Sequence, residues 1–418
     1  MKQRGHSGGL KDDPVDEILR KLEAIEAKVD RMWRDIDFIR THSATYLGQG
    51  VALTHLIDER RMLVNSNDFG GPIRFISSGE YERDNVEVLL SFVKDDTTTF
   101  VDAGANLGFY SLLMGGRLGP MGKVSAFEPH PYLAELARRN SSINGLPLVI
   151  TVYPFGLSDV EAETDFSYPK GHLGGGTVGN HGLPEQFDLV RSRVRRLDDV
   201  LDAGETVDLM KIDVEGHELA VLHGMQQVMA RSSQLKILFE NLGTHVDRST
   251  KIEDALRPYG FHLYAVVGDS QLSPLAPGEL ADFSGYVLAA RPEQVDTLDR
   301  RRFSIYPSQL HVPGRPPRGP GDVLVSEGTP EQTLFYGPYW FLLRGAWILN
   351  IHGKIEGEIE VILAERYGYP VLYQRMSATQ MQWQFTNERN LTHFEVIARA
   401  ASANARVEIE RIELVRVG

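Results

Sequence analysis

Apolar side chains recur at spacings of three and four residues along the first part of the chain, and charged side chains fill most positions between them. The apolar positions are Val15, Ile18, Leu22, Ile25, Val29, Met32, Ile36 and Ile39. A narrow apolar stripe with this period is typical of a coiled-coil seam. We therefore predict an N-terminal helix within residues 1–45 that joins copies of the chain into a homo-oligomer. The alternative is an amphipathic helix that packs on its own chain.

From about residue 97 the pattern changes to short apolar runs that alternate with amphipathic segments. The predicted strands are 98–103, 123–128, 148–153, 207–212, 235–240, 261–267 and 284–290, and the predicted helices are 131–144, 215–230 and 250–258. Such alternation indicates a parallel sheet with crossover helices, which gives an α/β fold class to a domain over residues 46–292. The glycine-rich stretch 169–182 is interpreted as a mobile surface loop.

The pattern changes again after residue 292. Residues 293–321 contain five prolines between 307 and 320, a composition typical of a semi-rigid linker. In 322–418, short segments alternate polar and apolar residues, which predicts a β-sandwich domain. The apolar parity changes between Ile409 and Ile412, which predicts a β-bulge near Arg411.

Composition narrows the functional classes. The 418 residues include no cysteine, which excludes a disulfide framework, thiolate metal ligands and a cysteine nucleophile, and fits a cytoplasmic protein. The N-terminus lacks the apolar core of a signal peptide, and the most apolar later run is broken by Arg344, so no transmembrane segment is expected. A net charge of -13 argues against a nucleic-acid partner, because phosphate neutralisation needs surplus Lys and Arg.

The first candidate chemistry lies where two predicted strands end. Asp102 closes one strand and is followed by glycines at 104 and 108 that open a helix, and Glu128 closes the next strand. Backbone N–H groups at a helix start bind carboxylates or phosphates, and a carboxylate at the second strand end suits ribose hydroxyls. A carboxylate before the glycines disfavours the pyrophosphate of a dinucleotide. It favours a nucleoside that carries an ammonium and a sulfonium, such as S-adenosylmethionine. A tight turn without a ligand is the alternative.

Several motifs carry a resemblance to a known family: "FVDAGANLGFYS", "KVSAFEPHP", "PFGLSD", "RRLDDVL", "DLMKIDVEGHELAVLHGM" and "ILFEN". Over about residues 75–290 the sequence resembles the FkbM-family methyltransferases. The resemblance implies a class I methyltransferase fold, a Rossmann-like seven-stranded sheet whose last strand is antiparallel. It also implies S-adenosylmethionine as methyl donor and a hydroxyl oxygen as acceptor. The cofactor-binding residues implied by the matching motifs are Glu82, Asp102, Gly104, Asn106, Gly108, Glu128, Ser158, Asp159 and Asp213.

The catalytic candidates follow two further predicted strands, at the edge where ligands bind in such sheets. They are Lys211, Asp213, Glu215, His217 and Glu240. His217 or Glu215 is the candidate base that removes the acceptor proton. The alternatives are helix capping for Asp213, backbone hydrogen bonding for Glu215, a counter-ion role for Lys211 and an outward-facing His217. Asp213, Glu215 and Glu240 could also gather around a hard divalent metal, which we do not assume because Lys211 is close by.

The C-terminal region adds a looser resemblance. Its stretch "FYGPYWFLLRGAWILNIHG" and its later strands resemble jelly-roll, carbohydrate-binding-like modules, although most of its aromatic rings are expected in the core. Together the features predict an O-methyltransferase that acts on a sugar hydroxyl of a bacterial glycan or glycan precursor. The alternatives are a natural-product O-methyltransferase, an NAD-dependent sugar oxidoreductase and a non-enzymatic glycan-binding protein.

Overall fold

The structure is a computed structural model of the chain. It describes residues 43–56, 60–70, 75–76, 81–93, 98–118, 122–179, 184–242, 246–268, 270–296, 302–305, 307, 310–315, 323–342, 345–365, 369–387 and 391–417, together with positions 21, 25, 28 and 32. The predicted coiled coil therefore lies almost wholly outside the described residues. Its four described positions are helical, with Ile25 and Met32 exposed. None of the described helices is both long enough and apolar enough to cross a membrane.

A small antiparallel sheet precedes the α/β domain. It contains β1 (Ala44–Gly48), β2 (Val51–His55) and β3 (Arg61–Asn65), and it is followed by helix α1 (Arg83–Ser91). Asn140 connects this sheet to the rest of the domain, because its side chain accepts the Leu63 N–H and donates to the Leu63 carbonyl. Apolar side chains of β2 and β3 join the core beneath the central sheet.

The α/β domain continues with helices and strands in alternation. In chain order these are β4 (Thr99–Ala103), α2 (Phe109–Leu118), β5 (Lys123–Phe127), α3 (Pro131–Ile143), β6 (Ile150–Tyr153), β7 (Gly156–Leu157), β8 (Ala162–Pro169), β9 (Thr177–Val178), β10 (Phe187–Arg195), α4 (Leu197–Val200), β11 (Leu209–Ile212), α5 (Glu218–His223), α6 (Gln226–Arg231), β12 (Lys236–Asn241), α7 (Val246–Leu256), β13 (His262–Val267), β14 (Gln271–Pro274), β15 (Gly285–Ala290) and α8 (Pro292–Asp296). The seven predicted strands all appear, each with ends shifted by three residues or fewer.

The central sheet has the strand order β14-β13-β15-β12-β11-β4-β5-β6. Strands β6, β5, β4, β11 and β12 are parallel, and β15 runs antiparallel to both of its neighbours, as expected for the last strand. The chain leaves β4 towards one edge and later returns to β11 beside it. Ligands bind at such a switch point, outside the carboxyl ends of the strands.

The predicted strand number of seven is wrong, because β14 adds an eighth strand by pairing antiparallel with β13. β14 is short and mostly exposed, so it lacks the apolar run that marks a buried strand. The stretch 169–182, predicted as a mobile loop, holds a 3-10 turn at Leu173–Gly175 and strand β9 within its described part. β9 belongs to a separate sheet with the order β7-β10-β8-β9.

Alternate residues of the parallel strands point to opposite faces of the central sheet, and each face has its own apolar core. Phe100 and Leu209 pack in the cluster on one face, and Val101 and Met210 pack in the cluster on the other. Burial on both faces explains why these strands appear in the sequence as continuous apolar runs.

The C-terminal region forms two five-stranded antiparallel sheets. The strands are β16 (Arg302–Ile305), β17 (Leu324–Gly328), β18 (Thr333–Phe335), β19 (Pro338–Leu342), β20 (Gly345–Glu356), β21 (Glu358–Glu365), β22 (Tyr369–Ser377), β23 (Gln382–Asn387), β24 (Leu391–Ala400) and β25 (Ala405–Val417). Side chains of both sheets, such as Leu349 and Val396, share one apolar cluster. Trp347 and Trp383 are buried in it, as expected for most of the rings. The jelly-roll resemblance stays a prediction.

Two details of this region bear on the predictions. The pairing of β20 with β25 passes from Arg411 to Ile409 at adjacent β20 residues, which confirms the bulge predicted near Arg411. The predicted linker 293–321 is too long, because β16 pairs with β25, and Leu310 and Val312 lie in the apolar cluster. Proline content misled the prediction here, since prolines also occur where a chain enters an edge strand.

Candidate functional site

A cavity of about 180 Å³ lies at the carboxyl ends of β4, β5 and β11. The candidates from the sequence that line it are Gly104, Asn106, Glu128, Lys211, Asp213, Glu215 and His217. Its opposite wall comes from residues 172–174 and 176, in the stretch that was predicted to be a mobile surface loop. Asp68 holds this wall, since its carboxylate accepts the Leu173 N–H at 3.0 Å.

The glycine turn after β4 is shaped by close backbone contact. Gly104 has a φ of +79°, and a Cβ atom there would lie 1.9 Å from the backbone oxygen of Asp213. Only glycine fits, both because the conformation is left-handed and because no space exists for a side chain. Gly108 has a φ of +82°, and a Cβ there would contact Ala137 on α3 at 3.3 Å. The turn therefore packs directly against the end of β11.

Glu128 holds the glycine turn from the end of β5. Its two carboxylate oxygens accept the backbone N–H groups of Asn106 and His130, each at 2.8 Å. Burial raises the pKa of Glu128 to about 7, even though both hydrogen bonds favour the charged form. A carboxylate can accept about four hydrogen bonds, so Glu128 can still accept hydrogen bonds from hydroxyl groups of a ligand in the cavity.

Asp102 lies beneath the turn rather than at the cavity wall. It is fully buried, and its Oδ2 accepts the Ser111 hydroxyl at 2.6 Å. Its Oδ1 has no hydrogen-bond partner within the described part of the chain. Burial raises the pKa of Asp102, and the nearby charge of Lys211 opposes this shift. A buried acceptor without a partner is costly, which marks Asp102 as a position kept for a reason other than stability.

Lys211 and Asp213 form a buried ion pair at the end of β11. The Lys211 Nζ donates to Asp213 Oδ2 at 2.9 Å and lies 4.4 Å from the centre of the Tyr110 ring. Burial disfavours the charged lysine, but Asp213, Asp102 and Glu82 together raise its pKa above the ordinary value. Lys211 thus forms an ion pair with Asp213, which is the alternative to a catalytic role that the sequence left open.

Three carboxylates gather beside this pair. Single oxygens of Asp213, Glu215 and Glu240 all lie within 4.8 Å of one another. Burial, reinforced by the charge of Asp213, raises the pKa values of Glu215 and Glu240 to about 7. Glu215 lines the cavity in a left-handed conformation with a φ of 48°, whereas Glu240 is not part of the cavity wall. Three oxygen ligands at this spacing could also hold a hard cation.

His217 is held by a hydrogen bond to the end of β7. Its Nε2 lies 2.9 Å from the Ser158 hydroxyl, which is in turn 3.2 Å from Asp159. Burial lowers the pKa of His217, and Asp159 opposes this shift. Ser158 and Asp159 are not at the cavity wall, where Gly156 and Leu157 stand in their place.

Glu82 reaches the site through another side chain. The Tyr110 hydroxyl donates to Glu82 Oε2 at 2.6 Å, and Tyr110 lines the cavity while Glu82 does not.

Several tyrosines of the site were missed from the sequence, among them Tyr110 and Tyr286. Tyr110 follows the glycine turn in "GFYS", and its position two residues after Gly108 was the available signal. Tyr286 donates its hydroxyl to Asp213 Oδ2 at 2.9 Å from strand β15. It lies 73 residues after Asp213, and nothing near it in the sequence marks a functional site.

The sheet has the reversed strand of a class I methyltransferase, and its glycine turn meets strand-end carboxylates at the switch point. The family comparison agrees with this class. Residues 102–263 match the model of the methyltransferase FkbM domain, which supports methyltransferase activity for this part of the chain.

Three curated relatives align with the chain. It is 26% identical to the AMB antimetabolite synthetase AmbE of Pseudomonas aeruginosa, in an alignment that covers 59% of this chain and 12% of AmbE. It is 33% identical to the methyltransferase sdnD of Sordaria araneosa, over 30% of this chain and 60% of sdnD. It is 27% identical to the hexuronic acid methyltransferase AglP of Haloferax volcanii, over 35% of this chain and 58% of AglP. A solved O-methyltransferase of Thermotoga maritima aligns with 61% of this chain and 95% of its own at 15% identity, with a TM-score of 0.30.

Proposed function

We propose that this protein is an S-adenosylmethionine-dependent O-methyltransferase that acts on a hydroxyl group of a sugar in a glycan or glycan precursor. One observation carries the proposal. A single cavity is bounded by the glycine turn with Glu128 and also by Asp213 with Glu215. The groups suited to gripping a nucleoside and the candidate base therefore face the same space.

The residues present fit S-adenosylmethionine. Gly104 and Gly108 let the turn pack against Asp213 and Ala137, which places the turn at the cavity, and Glu128 would hold the ribose hydroxyls. Asp102 does not line the cavity, so its buried carboxylate would favour the ammonium end of the amino-acid moiety by its charge and not by direct contact. When bound, the cofactor supplies an electrophilic methyl group on a positively charged sulfur.

The chain's own contribution is to align the acceptor and remove its proton. A base of this chain would remove the proton of the acceptor hydroxyl, so that the hydroxyl oxygen can accept the methyl group. We assign Glu215 as this base, because it lines the cavity and its pKa of about 7 makes it an effective acceptor near neutral pH. Alignment accounts for much of the remaining acceleration.

The other candidates take different roles in this proposal. Lys211 balances the charge of Asp213 at 2.9 Å. His217 is engaged by Ser158 and contributes to the shape of the cavity rather than to proton transfer. Glu240 does not line the cavity, and its own pKa is raised by burial and by the charges of Asp213 and Glu215. A divalent cation is not required for these roles.

The sugar acceptor is supported by the relative named a hexuronic acid methyltransferase. A small natural product is the second candidate acceptor, since another relative is named an antimetabolite synthetase. Two other functions from different classes, an NAD-dependent oxidoreductase and a non-enzymatic glycan-binding protein, are tested by the same experiments. Assembly through residues 15–39 is a separate proposal, which sedimentation of the full chain with and without that segment would test.

The decisive experiment has two parts. Calorimetric titration should show binding of S-adenosylhomocysteine and none of NAD, and the reverse result would favour the oxidoreductase. The protein is then incubated with methyl-labelled S-adenosylmethionine and a panel of neutral sugars, uronic acids and small glycosides. A product that survives mild alkali is a methyl ether on a hydroxyl, whereas an alkali-labile product is a carboxylate ester and would refute hydroxyl specificity. Binding without any labelled product would favour the non-enzymatic protein.

A further inference from the structure

We propose that Tyr286 is a positioning residue that orients the Asp213 carboxylate for methyl transfer. This inference rests on the proposed function and deepens it. The Tyr286 hydroxyl donates to Asp213 Oδ2 at 2.9 Å, and the Lys211 ammonium donates to the same oxygen at 2.9 Å. Two donors from two strands hold one oxygen of the carboxylate. The carboxylate therefore cannot rotate freely, and its other oxygen keeps one position.

The register of the sheet explains how a distant residue reaches this site. Tyr286 lies directly opposite Glu240 in the antiparallel pairing of β15 with β12. Directly opposite residues project from the same face of a sheet. The tyrosine is long enough to pass this neighbour and reach Asp213 at the end of β11, which is one strand further away.

The surroundings make the tyrosine's hydroxyl specific for this role. Among the charged groups around Tyr286, the carboxylates of Asp213, Glu82 and Glu240 act to raise its pKa, and the Lys211 ammonium contacts the same Asp213 oxygen as the tyrosine. Burial and these charges strongly raise its pKa, which keeps the hydroxyl protonated as a donor. A protonated donor between carboxylates stabilises their charge without adding a formal charge of its own.

Lys211 alone does not provide the same constraint. Its ammonium is shared with the face of the Tyr110 ring at 4.4 Å, and an ammonium has no fixed directional preference among its three protons. A phenol offers one proton in the plane of its ring, and here that proton is directed at one carboxylate oxygen. Loss of the hydroxyl should therefore release the Asp213 carboxylate to rotate about its remaining contact.

The test compares Tyr286→Phe with Tyr259→Phe in the full chain. Tyr259 lies just before β13, at the edge of the sheet opposite the cavity, and is the matched control for removing a phenolic hydroxyl. We expect Tyr286→Phe to lower kcat about 10- to 100-fold, the range for losing a hydrogen bond to a charged group, with S-adenosylhomocysteine affinity within about twofold of the parent. Tyr259→Phe should keep the parent kcat.

A second comparison keeps the proposal falsifiable if either variant is unstable. In an Asp213→Asn background, Tyr286→Phe should cause no further loss of kcat, because the tyrosine acts through that carboxylate. Two outcomes would overturn this inference and leave the proposed function standing. One is a double variant whose loss of kcat is the product of the two single losses, and the other is a kcat for Tyr286→Phe within twofold of the parent. Absence of turnover by the parent protein with every acceptor would overturn the proposed function and the inference with it.

Discussion

Replacing Gly104 by alanine tests the contact on which the site is built. The turn after β4 touches the end of β11 because residue 104 has no side chain, and a Cβ there would lie 1.9 Å from the Asp213 backbone oxygen. Contact with backbone cannot be relieved by a rotamer change. The strand-end acids and the turn must therefore move apart for the substitution to be accommodated.

The structure also offers a control that separates conformation from contact. Gly145 has a φ of +73°, close to the +79° of Gly104, and a Cβ there would meet no atom within 4 Å. Gly145→Ala should cost about 1–2 kcal/mol, the penalty for a left-handed L-residue. Gly104→Ala should add an overpacking cost of about 1–3 kcal/mol. The expected total for Gly104→Ala is about 2–5 kcal/mol, which is a large part of the roughly 5–15 kcal/mol free energy of unfolding of a typical protein.

Urea unfolding measures the free energy of unfolding of each variant, and calorimetry measures its affinity for S-adenosylhomocysteine. We expect Gly104→Ala to unfold at clearly lower urea than Gly145→Ala and to bind the ligand at least tenfold more weakly, while Gly145→Ala keeps the parent affinity. Equal losses of stability in the two variants, or an unchanged affinity in Gly104→Ala, would refute the reasoning about this contact.

Three further predictions concern side chains around the cavity. Glu128→Gln should weaken S-adenosylhomocysteine binding about 10- to 100-fold by calorimetry, because its amide group must face one of two N–H donors. Since burial raises the pKa of Glu128 to about 7 from 4.5, its contribution to stability is complete below pH 4.5 and is lost as the pH rises towards 7. Denaturant unfolding should show that the parent loses stability relative to Glu128→Gln as the pH rises over that interval. A stability difference between the two proteins that does not change with pH would contradict this prediction. Glu215→Gln should lower kcat about 10²–10⁴-fold and remove the rise of kcat through about pH 7 that the parent shows as its base loses a proton; a pH profile that keeps this rise would exclude Glu215 as the base. Asp68→Ala removes acceptors for the N–H groups of Gly70 and Leu173, so hydrogen exchange at residues 172–176 should accelerate by tenfold or more, and unchanged protection would show that other contacts hold this wall.

The core strands were predictable because both of their faces are buried. An apolar run such as that at 237–239 is stable only where both faces of the strand are covered, so its position follows from composition. Strands β8 and β10 were not predicted, because polar residues interrupt both of them and few of their residues are buried. They pair with each other across the long connection between Pro169 and Phe187, and that pairing leaves little trace in local hydrophobicity.

The candidate site was also predictable only in part. The carboxylates at the ends of β4, β5 and β11 were predictable, because parallel strands bring their carboxyl ends to one edge of the sheet. Their individual roles were not predictable, because these depend on distances of a few ångströms. Asp102 is buried beneath the turn while Glu128 lines the cavity. The sheet register accounts for the difference, because Asp102 lies within β4 opposite Ala126, whereas Glu128 follows the end of β5.

Reversal of the last strand has a chemical consequence at this edge. In a parallel strand, the residues that reach the cavity edge are the final ones, which in β15 would be alanines at 289 and 290. Because β15 is antiparallel to β12, its second residue lies at that edge instead, and this residue is Tyr286. The reversed strand thus delivers a hydroxyl donor among acids contributed by parallel strands. The same strand with parallel direction would leave Asp213 with the ammonium of Lys211 as its described donor, and the carboxylate would lose its second point of fixation.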